Sequence, residues 1–400
     1  MTTLVRRTIV RPVLFSTLWR ATCTATSTGT PSTSHRAFED VERATALTLG
    51  PTAWRGPELA AKPSQWVTEL SEAEISELDT AIEATRALPI ADVHEASLEL
   101  PTLSAKLRHI KHSLINGRGI WLLRNLPVDR WTVEESARAF WLIGLGLGGT
   151  TPVSQNKQGH LLGHVRDLGN DPRKPETRIY TTSAAQPYHT DSADVVGLMC
   201  IAPAAHGGSS QVVSSHAVFA TLARTHPDLA AELLRTPTIW DRKGEVPLGA
   251  APWFAVPAFA VSPSGQRLCA GMFDRSFVDA AQVRFTEADV PRLSERLREA
   301  LDEAERLAAD PELVLSMRLR PGDVQLLHSH QTWHSRSSYQ DDATAPRHLL
   351  RLWLSVGDDG WDLPPEYAAR YGTVDSSRSV ARGGVRCPGV LPFVPLTPWG

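Results

Sequence analysis

Four hundred residues, 42% of them hydrophobic and 21% charged, suffice to bury a sizeable core and exclude an intrinsically disordered chain. The 41 Lys and Arg against 44 Asp and Glu leave a net charge of −3, too near neutral for the broad basic surface that a nucleic-acid backbone needs. The longest uncharged apolar run, Phe140 to Gly149, is about half of the ~20 residues that cross a bilayer, so no membrane span is expected either.

Residues 1–38 differ in composition from the rest of the chain. Arg6, Arg7, Arg11, Arg20 and Arg36 are their only charged side chains, no acid precedes Glu39, and fourteen of them are Ser or Thr. An Arg-rich, acid-free segment with apolar residues at roughly helical spacing predicts a mitochondrial transit peptide; the alternative is a disordered tail on a cytoplasmic protein. Residues 39–89 read as a helical N-terminal extension, in which Ser71 and Glu74 form a capping box ahead of Ile75, Leu78 and Ile82. The apolar run Gly117 to Pro127, bounded by Gly and Pro, predicts a buried strand, and a second box, Thr132 with Glu135, opens a helix ending near Leu145. From 188 onward short strand-like runs succeed one another: 195–202, 210–215, 313–319, 324–328 and 349–356. One helical insertion is predicted over 286–310, with Leu293, Leu297, Ala300, Ala304 and Leu307 on a stripe. This pattern predicts a β-rich α+β fold, an antiparallel sandwich or barrel with helices outside. The proline-rich stretch 361–400 is expected to pack on that domain as an extension, since its prolines cannot continue a central strand. Cys23, Cys200, Cys269 and Cys387 are scattered, without zinc spacing, and read as reduced thiols.

The informative segment is QPYHTDSADVVGLMC. In extended backbone His189 and Asp191 leave on the same face and can meet one ion. Two histidines and one carboxylate around half a coordination sphere form the facial triad of non-haem Fe(II) oxygenases, and His328, His330 and His334 are candidates for the third ligand. Arg347 and Arg351 come next, among leucines and Trp353. An arginine sunk in such surroundings calls for an anionic partner, and a carboxylate matches its two-pronged geometry.

Taken together, QPYHTD, AAHGGSSQVVSS, the GDVQLLHSH and WHSR blocks and RHLLRLWL resemble the taurine dioxygenase/2,4-dichlorophenoxyacetate dioxygenase family of Fe(II)/2-oxoglutarate enzymes, in its clavaminate-synthase-like, fungal-type branch, over residues 90–360. The resemblance implies a double-stranded β-helix, or jelly roll. It implies that His189, Asp191 and His334 hold Fe(II), His334 being chosen because a small residue and Arg come directly after it. Arg347 would bind the distal carboxylate of 2-oxoglutarate, Ser210 would support the same carboxylate, and Arg351 would face cofactor or primary substrate. Asn156 and Gln155 lie in the loop that contacts substrate in the family. Ala185 stands where taurine enzymes place a substrate-binding Asn, which argues against taurine itself. The implied reaction is oxidation, by default hydroxylation, of a small organic substrate with O2, releasing succinate and CO2. The rival readings are a carnitine-pathway hydroxylase, whose N-terminal zinc cluster is missing here, and a catalytically silent binding protein on the same scaffold. A homo-oligomer is left open. His160, His164, His206, His216 and His348 read as structural, Trp333 and Trp353 as core, and Asp194 as a turn or supporting acid.

Overall fold

The computed structural model describes residues 33–376 and 380–397. Nearly all of the expected targeting segment, including four of its five arginines, lies outside the described residues. The described residues from Ala37 onward form one compact unit.

Two antiparallel-rich sheets carry the architecture. In chain order their strands are β1 (Val67–Glu69), β2 (Ile120–Arg124), β3 (Thr150–Pro152), β4 (Leu162–Val165), β5 (Gln186–His189) and β6 (Val195–Ala202). Beyond them come β7 (Ser210–Ser214), β8 (Leu315–Met317), β9 (Val324–His328), β10 (Thr332–Arg336) and β11 (His348–Val356). The seven-stranded sheet has the order β1-β2-β9-β6-β11-β3, with β4 also on β11, and the four-stranded sheet has the order β8-β7-β10-β5. Such crossing connections make a jelly roll.

Strand β11 shows how the sequence positions the site. All nine of its residues are buried, and the two faces bury against different partners. Leu350, Leu352 and Leu354 join the cluster that includes the helix Val133–Gly146, whereas Leu349 and Trp353 join the apolar cluster that also holds Val212 and Leu315 of the small sheet. Each buried leucine contributes roughly 2 kcal/mol. With a side-chain period of two, Arg351 falls between Leu349 and Trp353 and therefore points between the sheets. The helix lies close on the strand because Gly144 has no side chain: a Cβ there would come 2.5 Å from Leu352 Cδ2.

Both predicted capping boxes form, at Ser71 with Glu74 and at Thr132 with Glu135. The helix predicted over 286–310 is shorter. Pro291 cannot donate, Ser294 caps a fresh start by accepting from Leu297 N–H at 3.0 Å, and the helix runs Glu295–Ala308 with Leu293 outside it. Helices Ser215–Thr225, Pro227–Arg235 and Arg275–Arg284 add to the one excursion expected. Beyond β11, Trp361, Leu363, Tyr367, Tyr371 and Arg382 are buried in the unit. No helix among the described residues is long and apolar enough to cross a membrane. Of the described cysteines, Cys200 and Cys269 are buried and Cys387 partly so, and all three are free thiols.

Candidate active site

Strand β10 lies between β7 and β5, and the register places His334 directly opposite His189. Their ring centres are 4.1 Å apart. Asp191 lies just past the end of β5, with Thr190 between the two ligands turned the other way: the Thr190 hydroxyl donates to Gly271 O at 3.0 Å and its N–H to Phe273 O at 2.9 Å. That anchoring aims His189 and Asp191 together. One ligand atom from each of His189, Asp191 and His334 lies within 4.8 Å of the others, and all three residues are buried.

The protonation states suit a cation. Burial, then the neighbouring His189, pushes His334 down to about 3, so its imidazole is neutral. Burial pushes the Asp191 carboxyl up, but Arg351, His334, His189 and Arg178 outweigh it and hold the group below the usual carboxylate range. His189 Nδ1 lies 3.0 Å from Pro187 O and donates to it, leaving Nε2 as the acceptor, 2.9 Å from the Gln186 amide nitrogen. Asp191 Oδ2 is buried with no hydrogen-bond donor, while Oδ1 accepts from Arg351 Nη1 at 3.3 Å. Two imidazoles, that of His334 neutral, and a carboxylate with a bare oxygen are the ligand types that suit a divalent iron.

On one side of the triad is a chamber of about 450 Å³ lined by Ser210, His334, Arg336, Arg347, Leu349 and Arg351, among others. Arg347 precedes β11, and its Nη1 is buried without an acceptor; Arg336 Nε and Nη1 are in the same state. Burial lowers both guanidinium groups, Arg336 to about 10. Tyr339 lies under both cations, 4.8 and 5.0 Å from their guanidinium carbons. Ser210 lines the same space while its hydroxyl donates to Gln325 Oε1 at 3.1 Å. Unpaired buried arginines are costly, and a dicarboxylate would complete them. Beside it is a second chamber, lined by Asp191 and sharing Tyr180, Gln186, His189 and Arg351 with the first.

The remaining candidates fall elsewhere. Gln155 accepts from Arg351 Nε at 2.8 Å and donates to Arg351 O at 2.7 Å, so it positions that arginine and lines neither chamber. Asn156 is 3.1 Å from His160 Nδ1 and faces a separate cavity between the 152–161 loop and residues 381–392. His330 is turned to Asp194, 2.9 Å away, and His328 to Gln331, both away from the triad. Asp194 is fully buried and also accepts from Arg382 Nε at 2.9 Å and from Val356 N–H at 2.8 Å. Arg336, Tyr339 and Gln186 escaped the sequence reading as site residues. The only signal for Arg336 was its place two residues after His334.

Over residues 84–353 the sequence matches the family described as "Taurine catabolism dioxygenase TauD, TfdA family". The chain belongs to that family. TauD/TfdA membership makes the protein an Fe(II)- and 2-oxoglutarate-dependent dioxygenase with O2 as co-substrate. Among its relatives, FR-33289 synthase of Streptomyces rubellomurinus is 33% identical over 310 residues, 75% of this chain and 88% of the relative. Taurine hydroxylase-like protein SAT17 of the fungus Stachybotrys chartarum is 28% identical over 78% of this chain and 81% of its own length. A uridine-5′-phosphate dioxygenase of Amycolatopsis is 30% identical over 179 residues, 43% of this chain and 62% of the relative. The TauD/TfdA jelly roll also superposes on the non-haem iron oxygenase OrfP in complex with Fe and alpha-ketoglutaric acid, with a TM-score of 0.52 at 16% identity, covering 72% of this chain and 93% of that one. Asparagine oxygenase gives a TM-score of 0.51 at 15% identity over 72% and 93%.

Proposed function

We propose that this TauD/TfdA enzyme hydroxylates a small organic substrate held in the second chamber while 2-oxoglutarate, held in the first, is converted to succinate and CO2. The observation that carries the reading is the placement of His189, Asp191 and His334 on the wall between two chambers, one of which ends in the unpaired guanidinium groups of Arg347 and Arg336. Iron held by these three side chains would supply the activation of O2. The chain's own work is binding and positioning. Arg347 takes the distal carboxylate of 2-oxoglutarate, with Ser210 and Arg336 beside it. Arg351 keeps Asp191 ionised and, fixed by Gln155, holds one carboxylate oxygen so that the other faces the ion. Tyr180 and Trp353 sandwich the Arg351 guanidinium at 4.6 and 4.9 Å and keep water from it. Such a charge arrangement is expensive to maintain on a silent binding scaffold. The relative named for uridine 5′-phosphate supports a substrate that carries an anionic group.

The test is anaerobic addition of Fe(II) and 2-oxoglutarate, with readout by visible absorption and, in air, by succinate release against a set of small organic acids and phosphate esters. A 2-oxoglutarate-dependent absorption band lost in His189→Ala and His334→Ala is expected; full turnover in His334→Ala overturns the reading. For residues 1–38 we propose the mitochondrial address on composition alone, and a fluorescent fusion that stays diffuse in the cytosol overturns that.

A further inference from the structure

Three separate segments deliver cations to the second chamber. Arg178 comes from the loop before β5, Lys243 from the turn joining the strands Thr238–Asp241 and Trp253–Val256, and Arg370 from the short helix Ala368–Tyr371. Glu245 is shared between two of them, accepting from Arg178 Nη1 at 2.5 Å and from Arg370 Nη2 at 3.3 Å. Arg370 Nε also donates to Ser192 Oγ at 2.7 Å. Among the described residues Lys243 has no carboxylate within ion-pair distance. Its Nζ lies 3.5 Å from Ser276 Oγ and 4.6 Å from the centre of the Phe277 ring. Arg178, Lys243, Arg351 and Arg370 face Asp191, Glu245 and Asp274, while Asp241 beside Lys243 is taken by Arg284, so positive charge is left over even before Asp191 gives an oxygen to a metal.

The backbone at Lys243 points the same way. Lys243 and Gly244 have φ of 47° and 82°, and Glu245 N–H closes the turn on Arg242 O at 2.8 Å. Such a turn favours Asn or Gly at its first central position, and lysine there is strained, although Asp241 Oδ1 accepts its N–H at 2.8 Å. Strain of this kind is kept where a side chain has a task. Burial, with Arg178 nearby, lowers the Lys243 ammonium and outweighs the pull of Asp274, Asp241 and Glu245.

We propose that the second chamber binds a phosphate or phosphonate dianion of the primary substrate through Lys243, Arg178 and Arg370, placing the bond to be oxidised beside His189 and Asp191. The proposal rests on the oxygenase reading of the triad for its role, though not for the binding itself. A lone carboxylate is satisfied by one arginine fork, whereas cations arriving from three directions with positive charge to spare match a tetrahedral anion. Calorimetric titration of the full-length protein with phenylphosphonate tests this, with benzoate as the carboxylate arm. Phenylphosphonate is expected to bind at least about tenfold more tightly than benzoate, and Lys243→Met to lose at least about tenfold in phosphonate affinity. Lys243→Asn removes the charge but suits the positive φ, so it keeps the fold and is expected to lose the same affinity. Undetectable phosphonate binding, benzoate binding as tightly, or unchanged affinity in Lys243→Asn each overturn the proposal. The 2-oxoglutarate absorption band recorded on the same samples reports on the oxygenase reading separately: its absence, with Lys243-dependent phosphonate binding intact, sinks that reading and supports this one.

Discussion

Asp191 leaves one oxygen bare and gives the other to Arg351, and Gln155 decides how firmly that contact is held. Gln155→Leu would leave the Arg351 Nε buried and unpaired, loosening the guanidinium beside the triad. Succinate release is then expected to outrun product formation while 2-oxoglutarate affinity stays within about twofold, which a paired assay of both products measures. Arg347→Gln should act on the other chamber, raising the 2-oxoglutarate dissociation constant about 30-fold or more, as befits removal of a buried charge partner worth roughly 2 kcal/mol. An unchanged constant by anaerobic titration would reassign Arg347. The grouping of His189, Asp191 and His334 was legible because metal chemistry restricts residue type and spacing. Lys243 and Arg370 were not, because three cations more than sixty residues apart become one site only when the chain folds.

Among the elements, the strands that sequence located well are the apolar ones. Strands β6, β9 and β11 announce themselves by runs of Val and Leu, whereas β10, Thr-Trp-His-Ser-Arg, is buried throughout yet polar at four of five positions. Hydrophobic patterning therefore misses the strand that carries the site, since its polar residues face inward toward ligands. The predicted helix over 286–310 erred oppositely, because amphipathic spacing continued through a proline that ends the backbone pattern. A two-residue pairing beside the first chamber matters more than its length suggests: Gly207 pairs with Tyr339, the ring beneath Arg336 and Arg347. At Gly207 φ is +72° and a Cβ would collide with Ser338 O. Gly207→Ala is expected to push Tyr339 out of place and raise the KM for 2-oxoglutarate with a smaller effect on kcat, a split that steady-state kinetics resolves.

Across the whole molecule, buried histidines set the acid limit. Burial takes His216 and His348 from 6.5 to about 4. Between those values the unfolded chain binds protons that the native state refuses, so stability falls as pH drops from about 6.5 toward 4. The depressed carboxyl of Asp194 adds nothing to that slope, because its stabilisation persists until the pH falls below the ordinary carboxylate range. Thermal melting from pH 7 to 5 should show this decline, and His348→Gln should flatten it. Asp194→Asn is expected to cost about 3–5 kcal/mol, because Arg382 would be left as a buried charge without its partner. Deleting residues 1–32 should leave iron-dependent turnover intact, given that the compact unit begins at Ala37.

The link between Asp194 and Arg382 also orders events in time. Asp194 is synthesised near the middle of the chain, three residues after Asp191, yet the guanidinium that neutralises it arrives 188 positions later. A ribosome-bound chain thus carries that acid without its guanidinium partner for nearly half of its elongation. If this late pairing is what orders the centre, a nascent chain stalled before residue 382 is expected to retain iron poorly although His189, Asp191 and His334 have already been made.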